Sequence, residues 1–312
     1  MAYSSTNTIT AADYNSFVST VNGVIGAGSG SKGYTQSTLS TVSATDQITA
    51  AHWTALVDAV NKAALHQGTS VTLPGGSSTG YPATDDTIHA FDGSQTIGGA
   101  SYSYDLSTAV TNVDTNYQNV DAGQQTVGSD LHTSTRSSAW GGEAGTAAIN
   151  TDVTCTFASQ TVVRGFFNTG GEIHITLDQP TATTTQSTNW NTIFDTSIGT
   201  IKMGYTGTTR TGNAGTPSTT TGFYDLTSSY ATIFEGTNIG SGAYSANDVL
   251  VQAKSNGSGV ITFQITCDDQ HTPTAPSAVD TVESGTNAKF KVRKSNQYTF
   301  ANPGFATTEA FG

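Results

Sequence analysis

Few side chains in this 312-residue chain combine the types and spacing that do chemistry. Six histidines are scattered at positions 52, 66, 89, 132, 174 and 271. His52 and His66 sit in or beside one helix, a spacing that suits either a shared metal face or ordinary packing. Asp85-Asp86 and Asp268-Asp269 are adjacent acid pairs. Each offers oxygens for Ca²⁺ alongside loop carbonyls, as hard cations require, or else a solvated loop. Glu143, Glu172 and Asp178 are candidates for the facing carboxylates of glycoside hydrolysis. On a continuous strand, however, Glu172 and Asp178 share a face about 20 Å apart, which is too far for that reaction. No Gly-rich loop ends in Gly-Lys-Ser/Thr, and no His-Glu-x-x-His occurs. Cys155 and Cys267 lack the spacing of metal ligands. Gly26-Ala27-Gly28-Ser29-Gly30 follows a helix instead of a strand, so it is no nucleophile elbow. The expectation is a protein that is not an enzyme and holds no cofactor.

One basic group stands out. Lys289, Lys291, Arg293 and Lys294 are four of the eleven Lys and Arg residues. In a strand, Lys289, Lys291 and Arg293 share one face while Phe290 and Val292 take the other. That face either protects a solvated sheet or forms a subunit contact with an acidic neighbour.

The elements that must carry these residues begin with a duplicated helix signature, Ile9-Thr10-Ala11-Ala12 and Ile48-Thr49-Ala50-Ala51. Thr10 can cap a first helix, with Asp13 three residues on. Tyr14, Phe17, Val18, Val21 and Ile25 then follow helical spacing, and Trp53, Leu56, Val57, Val60 and Ala64 repeat it after Thr49. Gly26 and Gly68 close the two helices. Such short helices must pack on each other or on a neighbouring chain, which makes Tyr14, Phe17, Trp53 and Leu56 the candidate assembly and docking residues.

Beyond them the chain is poor in charge (11%), holds 34 glycines, and approaches one-fifth Thr. With 35% hydrophobic residues it still supplies a core, and its Thr, Val, Ile and Tyr favour strands. A net charge of −12 argues against nucleic acid as a partner. No apolar run is long enough to span a membrane, and the first residues carry no signal-peptide pattern. The two cysteines read as buried thiols, with a disulfide between them as the alternative.

The expected fold class is mainly β: an antiparallel β-sandwich preceded by a small N-terminal α-helical module. Residues 1–72 form the helical docking module, and 73–149 a linker and irregular region with one candidate helix at 105–119. The sandwich spans 150–272, and 273–312 adds strands and a C-terminal extension. Within the sandwich, 162–167 and 172–177 are expected as strands of a hairpin turning at Asn168-Thr169-Gly170-Gly171. A second hairpin turns at Asn256-Gly257-Ser258-Gly259, and Phe223–Leu226 is expected as a strand. Tyr102, Tyr104, Tyr205, Phe223, Tyr224, Tyr230 and Tyr244 could line a glycan platform or simply fill the core.

Several stretches together resemble a group of virion structural proteins of tailed phages, especially phages of cyanobacteria and other aquatic bacteria. They are Ile9-Thr10-Ala11-Ala12-Asp13-Tyr14-Asn15, Gly33-Tyr34-Thr35-Gln36, His66-Gln67 and Arg164-Gly165-Phe166-Phe167-Asn168-Thr169-Gly170-Gly171-Glu172-Ile173. Asn189-Trp190-Asn191, Ile198-Gly199-Thr200-Ile201-Lys202 and Tyr224-Asp225-Leu226-Thr227 complete the order, which covers roughly residues 9–270. The resemblance implies a structural protein of the tail, baseplate, neck or short fibre, made in the host cytoplasm and located in the virion. It implies no catalytic residues. A homo-oligomer, trimer or hexamer, is expected, with other virion proteins as partners. Host surface glycan is a further partner under the alternative reading of a receptor-binding appendage. Glycan hydrolysis is the remote alternative.

Overall fold

The computed structural model describes residues 9–73, 81, 92–97, 100–271 and 280–312, with the backbone alone at 92–97, 100–104 and 143. The chain forms two compact units. One gathers Met1–Thr126, Arg164–Gly170 and Ser295–Thr299; the other holds Val127–Val163, Gly171–Lys294 and Phe300–Gly312.

In the first unit, α1 (Ala11–Ile25) and α2 (Ala50–Gln67) each start on a reciprocal capping box, Thr10 with Asp13 and Thr49 with His52. Each ends on glycine, and Gly68 takes the left-handed conformation (φ 66°) that glycine adopts without strain. The N-terminal turns of the two helices lie side by side, with the Tyr14 and His52 rings 5.9 Å apart. The connector must therefore run back along α1. Asn22 exchanges hydrogen bonds with the Leu39 backbone, and Asn15 does the same with Val42. A third helix, α3 (Leu106–Thr115), packs on both. It follows the antiparallel pair β1 (Asp92–Ile97) and β2 (Ala100–Asp105).

The second unit is sandwich-like. Its first sheet orders β14 (Gly304–Glu309), β5 (Ala148–Thr156), β12 (Val260–Asp268), β11 (Asp248–Ser255), β10 (Ala231–Gly236) and β9 (Thr216–Pro217). The other orders β3 (Gln125–Val127), β13 (Asn287–Ser295), β6 (Glu172–Asp178), β7 (Thr200–Met203) and β8 (Thr208–Arg210), with β4 (His132–Thr135) also on β13. All the pairings that give these sheets their register are antiparallel. Alternation at period two aims Val153, Cys155, Ile261, Phe263 and Ile265 inward from one sheet. Ile173, Ile175, Phe290 and Val292 answer from the other, and the Phe263 and Phe290 rings meet at 5.7 Å. The Cys155 and Cys267 thiols are free and buried in this core, and burial pushes both pKa values up.

Helix and strand take comparable shares of the described residues, so the chain is a mixed α and β protein rather than a mainly β one. The antiparallel two-sheet arrangement is present. Part of the difference lies at residues 162–167. The expected strand is α4 (Gln160–Asn168), started by Ser159, whose hydroxyl accepts from the Val162 amide at 3.2 Å. Buried Val163, Phe166 and Phe167 fall at i, i+3 and i+4, which is helical spacing. The glycines that follow make a helix-to-strand turn, with Gly170 at φ 73°. A second helix, α5 (Thr185–Thr192), runs into a wider turn at Ile193–Ile198. Phe223–Asp225 is a single 3₁₀ turn, and the Gly222 amide just before it donates to the Asp225 carboxylate. The Asn256–Gly259 hairpin joins β11 to β12 as expected.

Candidate functional site

Three of the four basic side chains of β13, Lys289, Lys291 and Arg293, meet carboxylates of the same chain. Antiparallel pairing sets Arg293 opposite Glu172 and Lys291 opposite His174. Arg293 Nη2 lies 2.9 Å from Glu172 Oε1, and Lys289 Nζ is 2.7 Å from Asp178 Oδ2. Lys291 approaches Asp130 at 4.0 Å. His174 Nε2 is 2.7 Å from the second Glu172 oxygen. Cross-strand ladders of this kind contribute under about 1 kcal/mol per pair when part-exposed. The acidic groups that the sequence reading sought in a neighbouring subunit are thus also supplied by this chain. The same pairs separate Glu172 and Asp178 onto different cations.

The four docking candidates fare differently. Tyr14 (1% exposed), Trp53 and Leu56 (both 0%) are core residues of the helical unit, while Phe17 is half-buried. The two apolar stripes have packed within the chain, so three of the four residues present no surface to a partner.

Around Asp269 in the sandwich unit, two buried carboxylates, Asp269 and Asp280, gather with the half-buried His271 and Tyr244. Consecutive residues at the end of β12 diverge: Asp268 stands opposite Asp248, while Asp269 turns into the interior. The pair is therefore not one cation site. Asp269 Oδ2 accepts from the Gly142 amide at 2.8 Å and from the Gln186 side-chain amide. Burial raises the Asp269 pKa; those bonds and the His271 amide oppose the rise, and nearby Asp280 adds to it. His271 is held at both nitrogens, Nδ1 2.9 Å from the Ala243 carbonyl and Nε2 2.8 Å from Asp280 Oδ2. Its ring meets Tyr244 edge-on at 4.8 Å. Burial, then Asp280 and Asp269, raise the Tyr244 pKa. With both ring nitrogens committed, this network ties the Gly242–Tyr244 turn to the end of β12. Sequence reading missed Asp280, Gln186 and Gly142 as its partners. They are contributed by distant stretches of chain, and no local spacing announces them.

The remaining candidates disperse. His52 caps α2 and His66 is buried at its far end, about 21 Å along the axis at 1.5 Å per residue. Among the described residues, no group of three or more His, Cys, Asp or Glu is placed to hold a metal. Asp85, Asp86 and His89 lie outside the described residues, as does the Glu143 side chain. Tyr205, Phe223 and Tyr224 do gather, at 4.7 and 5.0 Å. Tyr230 instead bonds Asp152 at 2.6 Å beneath Lys254, and Tyr244 joins His271. Tyr102 and Tyr104 fall in β2, where the side chains are not described. No described helix is long and apolar enough to cross a membrane.

No protein-family model matches this chain, and neither a curated protein nor a solved structure is similar to it at a significant level.

Proposed function

We propose that this protein is a structural subunit of a bacteriophage virion, part of a tail, baseplate, neck or short fibre, working without catalysis in a homo-oligomer. The observation that carries this reading is how the described polar groups are used. The Arg293–Glu172, Lys289–Asp178, Asp280–His271 and Asp269–Gly142 contacts all brace the chain's own elements. The ordered motifs that resemble virion proteins support the same reading. Symmetric particles use many copies of one rigid subunit.

Light scattering on the purified full-length chain tests it. A stable trimer or hexamer is the expected result. A monomer at every concentration, coupled with no incorporation into particles assembled in its presence, overturns the proposal.

The half-buried Tyr205 and Tyr224 rings, 4.7 Å apart over the buried Phe223, favour a second reading, a receptor- or glycan-binding appendage of the same particle. It predicts saturable saccharide binding that is lost in Tyr224→Ala. Release of host polymer by the purified protein would instead revive hydrolysis.

A further inference from the structure

The helical unit contains a cleft of about 280 Å³ lined by Ile25, Gln36, Ser37, Leu39, Ala59, Lys62 and Tyr298. Its walls follow from the packing already described. Ile25 ends α1, Ala59 and Lys62 lie on adjoining turns of α2, and Gln36 to Leu39 belong to the connector that returns along α1. Tyr298 is 3% exposed and forms an aromatic wall. Its ring packs at a tilt on Tyr34 at 4.9 Å and edge-on to His66 at 5.1 Å, so it cannot swing away without disturbing the core.

The chemistry of the lining is selective. In a chain with 23 acidic residues against 11 basic ones, this cleft holds one cation and no carboxylate. Lys62 Nζ lies 5.0 Å from the Tyr298 ring centroid, and Lys62 makes no ion pair among the described residues. A cation over an aromatic face keeps much of its charge available, since the ring offers a quadrupole and not a counter-charge. Ile25, Leu39 and Ala59 supply apolar contact, while Gln36 and Ser37 supply polar groups. The Tyr298 hydroxyl is buried without a hydrogen-bond partner in the described structure, an expensive arrangement for a polar group.

We infer that this cleft binds a small amphiphilic carboxylate, its apolar body against Ile25, Leu39 and Tyr298 and its carboxylate on the Lys62 ammonium. The volume lies just below the usual range for drug-sized ligands, which suits a small chain of about eight carbons. The site is independent of the assembly role proposed above, because it needs neither a second copy nor a particle.

Octanoate is the probe, with uncharged octan-1-ol as its partner, titrated into the full-length protein while methyl NMR signals are followed. Saturable shifts at Ile25, Leu39 and Ala59 are expected with octanoate at millimolar concentration. Octan-1-ol should bind about tenfold more weakly, the loss of one charge-assisted contact. Lys62→Met keeps the aliphatic stem and removes the charge, so it should bring octanoate down to the level of the alcohol. Unchanged methyl positions in free Lys62→Met certify its fold. Absence of saturable shifts at these methyls, equal affinity for acid and alcohol, or unaltered octanoate binding by Lys62→Met overturns the inference.

Discussion

His66 shows how one buried side chain can tie stability to pH. Ser295 Oγ accepts from the amides of Gln297 and Tyr298, so its own hydrogen goes to His66 Nδ1 at 3.2 Å. The neutral ring then carries its hydrogen on Nε2, packed against Tyr34 and Tyr298. Burial lowers the His66 pKa from 6.5 to about 4, with the Asp121 charge pulling the other way. The unfolded chain therefore takes up this proton at a higher pH than the folded one does. Stability is full above about pH 6.5 and falls as the pH drops towards 4, by about 3 kcal/mol from this residue. Urea unfolding at pH 7.5 and pH 5 should show the loss, and His66→Gln should make the dependence shallower. Equal slopes for the two proteins would mean that His66 is protonated in the native state.

At the scale of elements, α4 is the instructive case. Its Gly165 sits mid-helix, where replacement by Ala ordinarily stabilises by about 0.5–1 kcal/mol. Here a Cβ at Gly165 would run into the Thr35 side chain and come within 3.0 Å of the Tyr34 carbonyl oxygen. Thr35 has little room to yield, because it already holds a positive φ of 56° that β-branched residues rarely adopt. Gly165→Ala should therefore destabilise by about 1–3 kcal/mol, the cost of overpacking. A rise in thermal midpoint would show that the connector yields freely. The same helix marks the limit of what the sequence reveals. The capped helices α1 and α2, the β11–β12 hairpin and β6 were all legible, because caps and periodicity act within a few residues. At 162–167 a short apolar run fits either period, and the Gly-Gly that follows suits a hairpin as well as a helix end. The Ser159 cap was the deciding signal. Strands of two to four residues such as β3, β8 and β9 are too short to show any period. The Asp269 network was hidden for another reason: burial by distant segments, not spacing, brings its members together.

On the scale of the sandwich, the question is how twelve strands avoid pairing with other molecules. Open sheet edges invite strand addition, yet both seams between the sheets are bridged. At one, the Thr208 amide of β8 donates to the Ser218 carbonyl just beyond β9, at 2.7 Å. At the other, His132 of β4 meets Thr307 of β14 at 2.8 Å, with its ring stacked on Phe305. Pro217 also leaves β9 without one amide donor, a further block to extension. An oligomer built from this unit would thus use side-chain faces in preference to backbone edges. β14 is the vulnerable closure, since it covers β5 over Asp152–Thr156 and contributes Phe305, 5.4 Å from Phe290. Ending the chain at Asn302 removes both the cover and the ring, and leaves the β5 backbone unpaired along that side. Such a protein should form large, polydisperse species by light scattering where the full chain gives a single mass. Adding charge to the new edge with Thr154→Lys, a residue on the outer face, should reduce their size, because edge lysines oppose strand pairing. A truncated protein with the same single mass as the full chain would show that the β5 edge is protected by something other than β14.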